Sequence, residues 1–467
     1  MPADPPPGGV PAGRVDLSRP RRVHVVGIGG AGMSAVASVL AGMGHRVSGS
    51  DLKGSPVTER LAAQGITVWV GHRAEQVAGA ELVTFSPAVP PSNVELAEAA
   101  RLGIPVVRRA DVLAAVAGTR RCVAVAGTHG KTTTSSMLSL VLVQAGRRPS
   151  FLIGADVNEI GTNAVWDDGD WLVLEADESY GTFTALAPEV AVVTNVEPDH
   201  LDHYGTFDAL KAAFAGFLAA ASGPRVVCAD DPVAAELGKA AGAVSVGTAP
   251  VADYRMTDLS HRRSAVGFDL SGPGGRLGRL EVSVPGVHNA RNAALATVAA
   301  LSVGVDVEAA VAALARFTGV PRRFEFRGEA NGVTFVDDYA HLPTEVQAAL
   351  ATARGGGWGR VVAVFQPHRY TRTAALAASF GTAFAGADLV VVTDVYSAGE
   401  PPVPGVSGKL VADAVAAAGD LPVIYAPTRD ELRDIVTAVL SPGDLCLTLG
   451  AGDLTTLPDD LLAAPGW

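Results

Sequence analysis

The chain has 467 residues, 48% of them hydrophobic and 18% charged, a length of about three ordinary domains. That much apolar material fills several cores and excludes a disordered chain. The formal net charge of −12 excludes a general nucleic-acid binder, which carries a basic surface, but leaves room for an anion held by local Arg, Lys and backbone N–H groups. Cys122, Cys228 and Cys446 stand singly in apolar, strand-like runs. Without paired spacing they make neither a disulfide scaffold nor a Cys-type zinc site, and they suit a reducing compartment as small buried hydrophobes. No apolar stretch reaches the roughly 18 residues that cross a bilayer; residues 293–305 come nearest and stop at Asp306. A soluble, cytoplasmic chain without membrane insertion is expected, of open oligomeric state. Just five of its 36 basic residues are Lys, so each Lys invites inspection.

Residues 1–20 hold six prolines and are expected to form a flexible tail. From Arg22 short β-branched runs alternate with Ala/Leu-rich amphipathic stretches, the pattern of βαβ units around parallel sheets. The first block predicts strand 23–27, helix 32–43, strand 46–49, helix 58–64, strand 82–85, a further helix and a strand near 106–107. The second predicts strand 122–126, helix 131–144, strands 171–176 and 190–195, helix 207–221 and strand 225–229. Short alternating strands between 264 and 284 and helices 289–301 and 307–317 follow. After the break at Gly319-Val320-Pro321 come strand 333–337, helix 344–353, strand 361–365, helix 374–384, strand 389–393, a loop to Gly408, helix 410–418 and strand 446–449. No internal repeat is visible. Boundaries fall near 117 and 320.

Two loops carry most of the chemistry. Gly27, Gly29 and Gly32 have GxGxxG spacing between a predicted strand and helix, with Gly30 in the same loop and Asp51 ending the next strand. Glycine lets the backbone turn tightly and approach a diphosphate, and the helix start then offers N–H donors. Taken alone the loop reads as a dinucleotide fingerprint with Asp51 on a ribose hydroxyl, or as a Gly-rich turn that packs helix on strand and binds nothing. The second loop, Gly127-Thr128-His129-Gly130-Lys131-Thr132-Thr133, again runs from strand to helix. Lys131 has the place for the β- and γ-phosphates of ATP, Thr132 can ligate magnesium, and N–H groups from Gly127 to Thr132 can cradle phosphate oxygens. The spacing departs from GxxxxGK[ST], since Val125 stands where its first glycine belongs.

Two acidic loops leave neighbouring predicted strands, Glu175-Ala176-Asp177-Glu178-Ser179 and Asn195-Val196-Glu197-Pro198-Asp199-His200. Both lie at carboxyl ends of strands, where α/β sheets place ligands. Glu175 and Thr132 are natural oxygen ligands for Mg2+, and His200 a less usual one. Each loop taken singly also reads as a solvated acidic surface. Asp230-Asp231-Pro232 is expected to be a turn.

These motifs, in this order, resemble the Mur ligase family, which builds the peptidoglycan stem peptide. The resemblance covers nearly the whole chain after residue 20. It extends through Pro285–Asn292 (PGVHNARN), Arg322-Arg323-Phe324-Glu325, Asp337-Asp338-Tyr339-Ala340-His341, Phe365–Thr373 (FQPHRYTRT) and Thr448–Asp453 (TLGAGD). It implies an α/β fold in three domains: a Rossmann-like UDP-sugar domain (21–117), a central P-loop-type ATPase domain with a mainly parallel sheet (118–320) and a Rossmann-like amino-acid-binding domain (321–467). The loops GTHGK and FQPHRYTRT favour the L-alanine-adding branch. The resemblance thus implies ligation of L-alanine to the lactyl carboxylate of UDP-N-acetylmuramate through an acyl phosphate, with ATP and Mg2+ as cofactors.

By position, it places the UDP part on Gly27, Gly29, Gly30, Gly32, Asp51 and Ser86. It places ATP phosphates and magnesium on Gly127, Thr128, His129, Gly130, Lys131, Thr132 and Thr133, with Glu175 and His200 on the metal. Asn289 and Asn292 face adenine, Arg323 and Asp338 reach ATP, and Tyr339, His341, His368, Arg369 and Arg372 line the amino-acid pocket. Lys131, Glu175, His200 and Arg323 are the expected catalytic set, assembled by domain closure. No side chain stands out as a base for the amine. The chain departs from the family pattern twice: Leu342 replaces a His after His341, and Tyr180 replaces an Asp after Ser179. These touch amino-acid choice and sugar contacts. Alternatives are a sibling that ligates a recycled peptide to the same UDP-sugar, an NAD-dependent oxidoreductase built on the first loop, and a catalytically silent UDP-sugar sensor.

Overall fold

In the computed structural model, residues 15–464 are described, apart from the side chains of Ala31, Tyr180 and Asp202. Three sheets carry the chain. The first has five parallel strands in the spatial order Thr67–Val70, Arg46–Asp51, Arg22–Val26, Leu82–Phe85, Val106–Arg108. Its strand order reverses beside Arg22–Val26, and the first glycine loop leaves from that strand, where doubly wound sheets open a crevice. In the second sheet, Arg121–Ala126 lies between Val190–Val193 and Trp171–Glu175, all parallel. The sheet continues through Arg225–Cys228, Val244–Gly247 and Tyr254–Arg262 on one side and through the antiparallel pair Ser150–Val157 and Thr162–Val165 on the other. Strands Ala265–Gly272 and Gly275–Val282 complete its ten. The second glycine loop therefore also leaves a switch point, flanked by the two acidic loops.

The third sheet orders Glu325–Ala330, Val333–Asp338, Asp444–Leu449, Arg360–Phe365, Leu389–Val392 and Val423–Tyr425, the first pair antiparallel and the rest parallel. Side chains alternate across a strand, and here both faces are buried. Val361, Ala363 and Phe365 enter one core, Val362 and Val364 the other. The continuous apolar runs of this block are those of a parallel sheet covered on both sides.

The three sheets carry the three expected α/β domains, and by packing the chain groups into two compact units. One comprises residues up to Asp258 with Phe268–Leu280 and Arg291–Phe317; the other comprises Leu259–Gly267, Glu281–Ala290 and residues from Thr318 onward. The first and second sheets share one unit because a single apolar cluster runs through both, from Val25 and Val36 to Leu172 and Phe214. A salt bridge from Arg60 to Asp156, 3.0 Å, adds to the join. Of the expected tail, residues 1–14 lie outside those described, and Leu17 is buried in this shared core. The turn expected at Asp230-Asp231-Pro232 is present and leads directly into helix Pro232–Ala240. Asp231 accepts from Ala234 N as N-cap and Pro232 takes the first helical position, the arrangement favoured at a helix start. The helix predicted over 374–384 begins earlier, at Tyr370–Phe380, directly after Arg369. All three cysteines are free and buried. No helix among the described residues is long and apolar enough to cross a membrane.

The acidic loop after Trp171–Glu175 is anchored by its own core residue. Phe183, in the 3-10 turn Ser179–Ala185, meets Phe214 edge-on and Phe217 at a tilt, with ring centroids 4.9 and 5.3 Å away. Phe183→Ala is expected to cost about 3–5 kcal/mol, read as a lower urea midpoint of the unit that contains it.

Candidate active site

The first glycine loop hangs from the end of strand Arg46–Asp51. Gly27 N and Ile28 N both donate to the Ser50 carbonyl at 2.8 and 3.0 Å, and Gly29 N donates to Asp51 Oδ2 at 2.8 Å. Gly27 has φ +77, and a Cβ there would stand 3.0 Å from that of Ser86. Glycine is thus required both by conformation and by the close approach of Ser86. Gly27, Gly29, Gly30, Gly32, Asp51 and Ser86 are brought together as expected, although Asp51 spends one oxygen on the loop itself. Beneath it lies a network the sequence gives no hint of. The Ser50 hydroxyl donates to the fully buried Glu95 at 2.5 Å and contacts His72 Nδ1 at 2.9 Å, while His24 Nε2 stands 3.5 Å from the other Glu95 oxygen. A buried carboxylate persists when it is paired and hydrogen-bonded, and this one pins the residue from which the loop is suspended.

The second loop closes around a buried ammonium. Gly127 at φ +142 leaves no room for a Cβ beside Thr194, and Gly130 at φ +78 abuts Asn292 Oδ1, 2.5 Å from the Cβ position. Asn195 fixes the middle of the loop by accepting from His129 N at 2.8 Å and donating to His129 O at 3.0 Å. Lys131 Nζ then donates to Gly127 O at 2.6 Å and Thr128 O at 3.2 Å, and lies 2.8 Å from Glu178 Oε2. Thr132 Oγ1 donates to Glu175 Oε1 at 3.1 Å, and the other Glu175 oxygen accepts from Gly154 N at 2.6 Å.

Burial opposes the Lys131 charge, but Glu178 and Asp177 hold its pKa above the ordinary value. Burial pushes Glu178 up to about 7 despite Lys131, and pushes Glu175 up as well. Asp177 stays below its ordinary range because Lys131, Ser179 and Arg109 outweigh its burial. The sequence groups His200 with Glu175 and Thr132; the structure sets His200 Nε2 3.6 Å from Glu178 Oε1 and 3.4 Å from Asp199 Oδ2. Among the described residues no three His, Cys, Asp or Glu side chains converge as a metal-ligand set.

In the other unit, Asp338, Tyr339, His341, His368, Arg369 and Arg372 lie at or just after the carboxyl ends of strands Val333–Asp338 and Arg360–Phe365, and Arg323 just precedes the antiparallel edge strand Glu325–Ala330. Asp338 is buried and accepts from Phe324 N and Ala340 N, both at 2.8 Å. It fixes the turn in which Arg322 and Phe324 have φ +61 and +49; burial raises its pKa to about 6, against the pull of Arg323. Both arginines of that turn cover the Tyr339 ring, Arg322 at 4.8 Å and Arg323 at 5.0 Å. Arg372 Nη1 lies 3.0 Å from His368 Nδ1, His368 stacks on Tyr396, and His341 meets His368 edge-on, 5.7 Å between centroids. Burial, then His341 and the neighbouring arginines, drives the His368 pKa down to about 3. Asn289 is buried and donates to Pro285 O at 2.7 Å. Leu342 is 4% exposed, so its side chain packs inward; the side chain of Tyr180 lies outside those described.

Sequence reasoning missed Glu178, Arg109, Asn195, Asp230, Arg322 and Tyr396. Glu178 was in view within the acidic motif, and its signal was the excess of carboxylates beside a rare Lys. Asp230 accepts from Arg291 Nε at 2.7 Å and from Thr248, contacts with no local signature. Because Glu178 titrates higher in the folded chain than its ordinary 4.5, the folded state holds more protons across that window. Ligand-free stability therefore falls as pH rises from about 4.5 to about 7. Glu178→Gln is expected to flatten this slope, seen by comparing urea midpoints of both proteins at about pH 5 and about pH 8.

Three family descriptions match the chain in order: "Mur ligase family, catalytic domain" over residues 22–121, "Mur ligase middle domain" over 125–300 and "Mur ligase, glutamate ligase domain" over 322–452. A UDP-N-acetylmuramate–L-alanine ligase of Pelotomaculum thermopropionicum is 46% identical over 443 residues, 94% of this chain and 96% of that protein. The crystal structure of UDP-N-acetylmuramate–alanine ligase from Thermotoga maritima superposes with a TM-score of 0.80 at 30% identity, covering 95% of this chain and 98% of that one. A murein peptide ligase from Psychrobacter arcticus gives a TM-score of 0.68 at 24% identity over 95% and 98% of the two chains, a likeness of fold.

Proposed function

The chain belongs to the Mur ligase family, and on that premise we propose that it joins L-alanine to the lactyl carboxylate of UDP-N-acetylmuramate, converting ATP to ADP and phosphate. The observation that carries the reading is the glycine loop closed around the buried Lys131 ammonium, with Glu175 and Glu178 beside it. A carboxylate does not react with an amine until it has a leaving group. The lactyl oxygen attacks the γ-phosphorus and the bond to the β–γ bridging oxygen breaks, giving an acyl phosphate and ADP. The alanine nitrogen then attacks the acyl carbon, and the carbon–oxygen bond to phosphate breaks with loss of a proton from nitrogen.

Anions converge in the first step, so positive charge must be fixed in advance. Lys131 and the N–H groups of Gly127–Thr132 serve the ATP phosphates, and Asn289 and Asn292 are assigned to adenine. Arg323 is assigned to the transferring phosphoryl group; Asp338, occupied with the turn that carries Arg323, is its positioning residue. We assign magnesium to Thr132 and Glu175, with His200 near Glu178. The fit rests on charge: Glu175, Asp177 and Glu178 face Lys131 and Arg109, an excess of carboxylate over cation that a divalent ion offsets. When bound, that ion neutralises phosphate charge. The first glycine loop with Asp51 and Ser86 is assigned to the UDP part, and Tyr339, His341, His368, Arg369 and Arg372 to the amino acid. We place the reaction in the cytoplasm, where ATP and nucleotide sugars are found.

Phosphate release is expected to require UDP-N-acetylmuramate and L-alanine together. Release without both would contradict the ligase reading. Lys131→Ala should lower it by more than about a hundredfold with the unfolding transition retained; near-normal ligation by that variant would remove the phosphate assignment. The inward-packed Leu342 motivates one comparison of amine substrates. L-alanine is expected to outperform the stem tripeptide, and the reverse result would identify the recycling sibling.

A further inference from the structure

Arg109 opens helix Arg109–Ala117, directly after the edge strand of the first sheet. Its Nη1 lies against Gly32, so closely that a Cβ added to Gly32 would collide with it. Gly32 is the last glycine of the first loop and stands in the first turn of helix Ala31–Gly42, a turn with no acidic residue and no side-chain cap. Arg109 Nη2 donates to Asp177 Oδ2 at 3.1 Å, while its Nε is buried without a hydrogen-bond partner among the described residues. Asp177 engages only Nη2, so the guanidinium, with Nη1 at Gly32 beside an uncapped helix start, has donors left over. Phosphate oxygens supply acceptors for them in the geometry that arginine and helix N-termini both favour.

We propose that Arg109 binds the diphosphate of the UDP-sugar at the Gly27–Gly32 loop, oriented for this by Asp177. The proposal rests on the reading of that loop as the UDP-sugar site. It gives Gly32 a reason beyond backbone conformation, since a hydrogen side chain lets the cation close onto the helix start. It also gives Asp177 a task distinct from those of its neighbours: within one short segment, Glu175 faces Thr132, Glu178 faces Lys131, and Asp177 faces the cation of the other loop. The phosphate groups of both nucleotide substrates are thereby referred to the same five residues, which holds the lactyl arm and the γ-phosphate in a fixed relation. Asp177 is a positioning residue in this scheme and Arg109 a binding one.

The test uses the full chain with UDP as the calorimetric probe, alongside steady-state KM values for UDP-N-acetylmuramate and ATP. Arg109→Met and Gly32→Ala, the second of which keeps the cation but displaces it, should each weaken UDP binding roughly ten- to hundredfold. The ATP KM should stay within about twofold, and Arg109→Lys should fall between wild type and Arg109→Met. Unchanged UDP affinity in Arg109→Met would overturn the proposal. So would a parallel rise in both KM values with a lowered unfolding midpoint, the mark of a tie that merely joins the two sheets. Failure of the wild-type chain to bind UDP would remove the UDP-sugar reading of the loop itself, a result separable from the other two.

Discussion

A single buried ammonium sets the terms for the first compact unit. Lys131 Nζ has two loop carbonyls and one carboxylate within hydrogen-bond distance, and burying such a charge is tolerable only when it is paired and fully bonded. Gly127, at φ +142, turns its carbonyl toward that ammonium, and Gly130, at φ +78, starts helix Lys131–Gln144 with its carbonyl accepting from Thr134 N. Asn195 holds the loop shut from the neighbouring strand, and the strand register, Val125 opposite Glu175 and Ala126 opposite Val193, brings the acidic loops to the same edge. Fold and site are one construction here: the parallel switch point delivers the loop, and the loop delivers the cation.

Much of this is legible in the sequence. Both glycine loops announce themselves because a backbone that must wrap a phosphate tolerates few residue types, and a Lys in a chain that otherwise uses Arg is conspicuous. The alternating apolar runs gave the central strands, which are buried on both faces. What escaped was either polar or non-local. Strand Glu325–Ala330 reads EFRGEA and pairs at a sheet edge, where no apolar alternation is demanded. Thr67–Val70 is short and only partly buried. Ser150–Val157 contains a glycine whose Cβ space is taken by Glu175, so its strand pattern is interrupted for the sake of the site.

The candidate site divides the same way. Thr132 beside Glu175 follows from motif order, whereas the approach of Asn292 to Gly130 does not. His200, whose backbone at φ +53 opens a helical turn, sets its ring beside Glu178 and Asp199, partners that motif order alone does not name. The pairings of Glu178 with Lys131, 47 residues away, and of Arg109 with Asp177, 68 residues away, come from the crossing of βαβ units and have no local sequence signature.

Net charge proves a poor guide to ligand. A chain of −12 is assigned two polyphosphate substrates because the compensation is local: oriented N–H groups, Lys131, Arg323 and a cation site. All of it serves one event, capture of the γ-phosphate by a carboxylate oxygen. Ligation with both lactyl carboxylate oxygens of UDP-N-acetylmuramate labelled as oxygen-18 tests that event directly. An acyl phosphate requires one label in the released phosphate and the other in the new amide carbonyl. Unlabelled phosphate from labelled substrate would contradict the account at its centre.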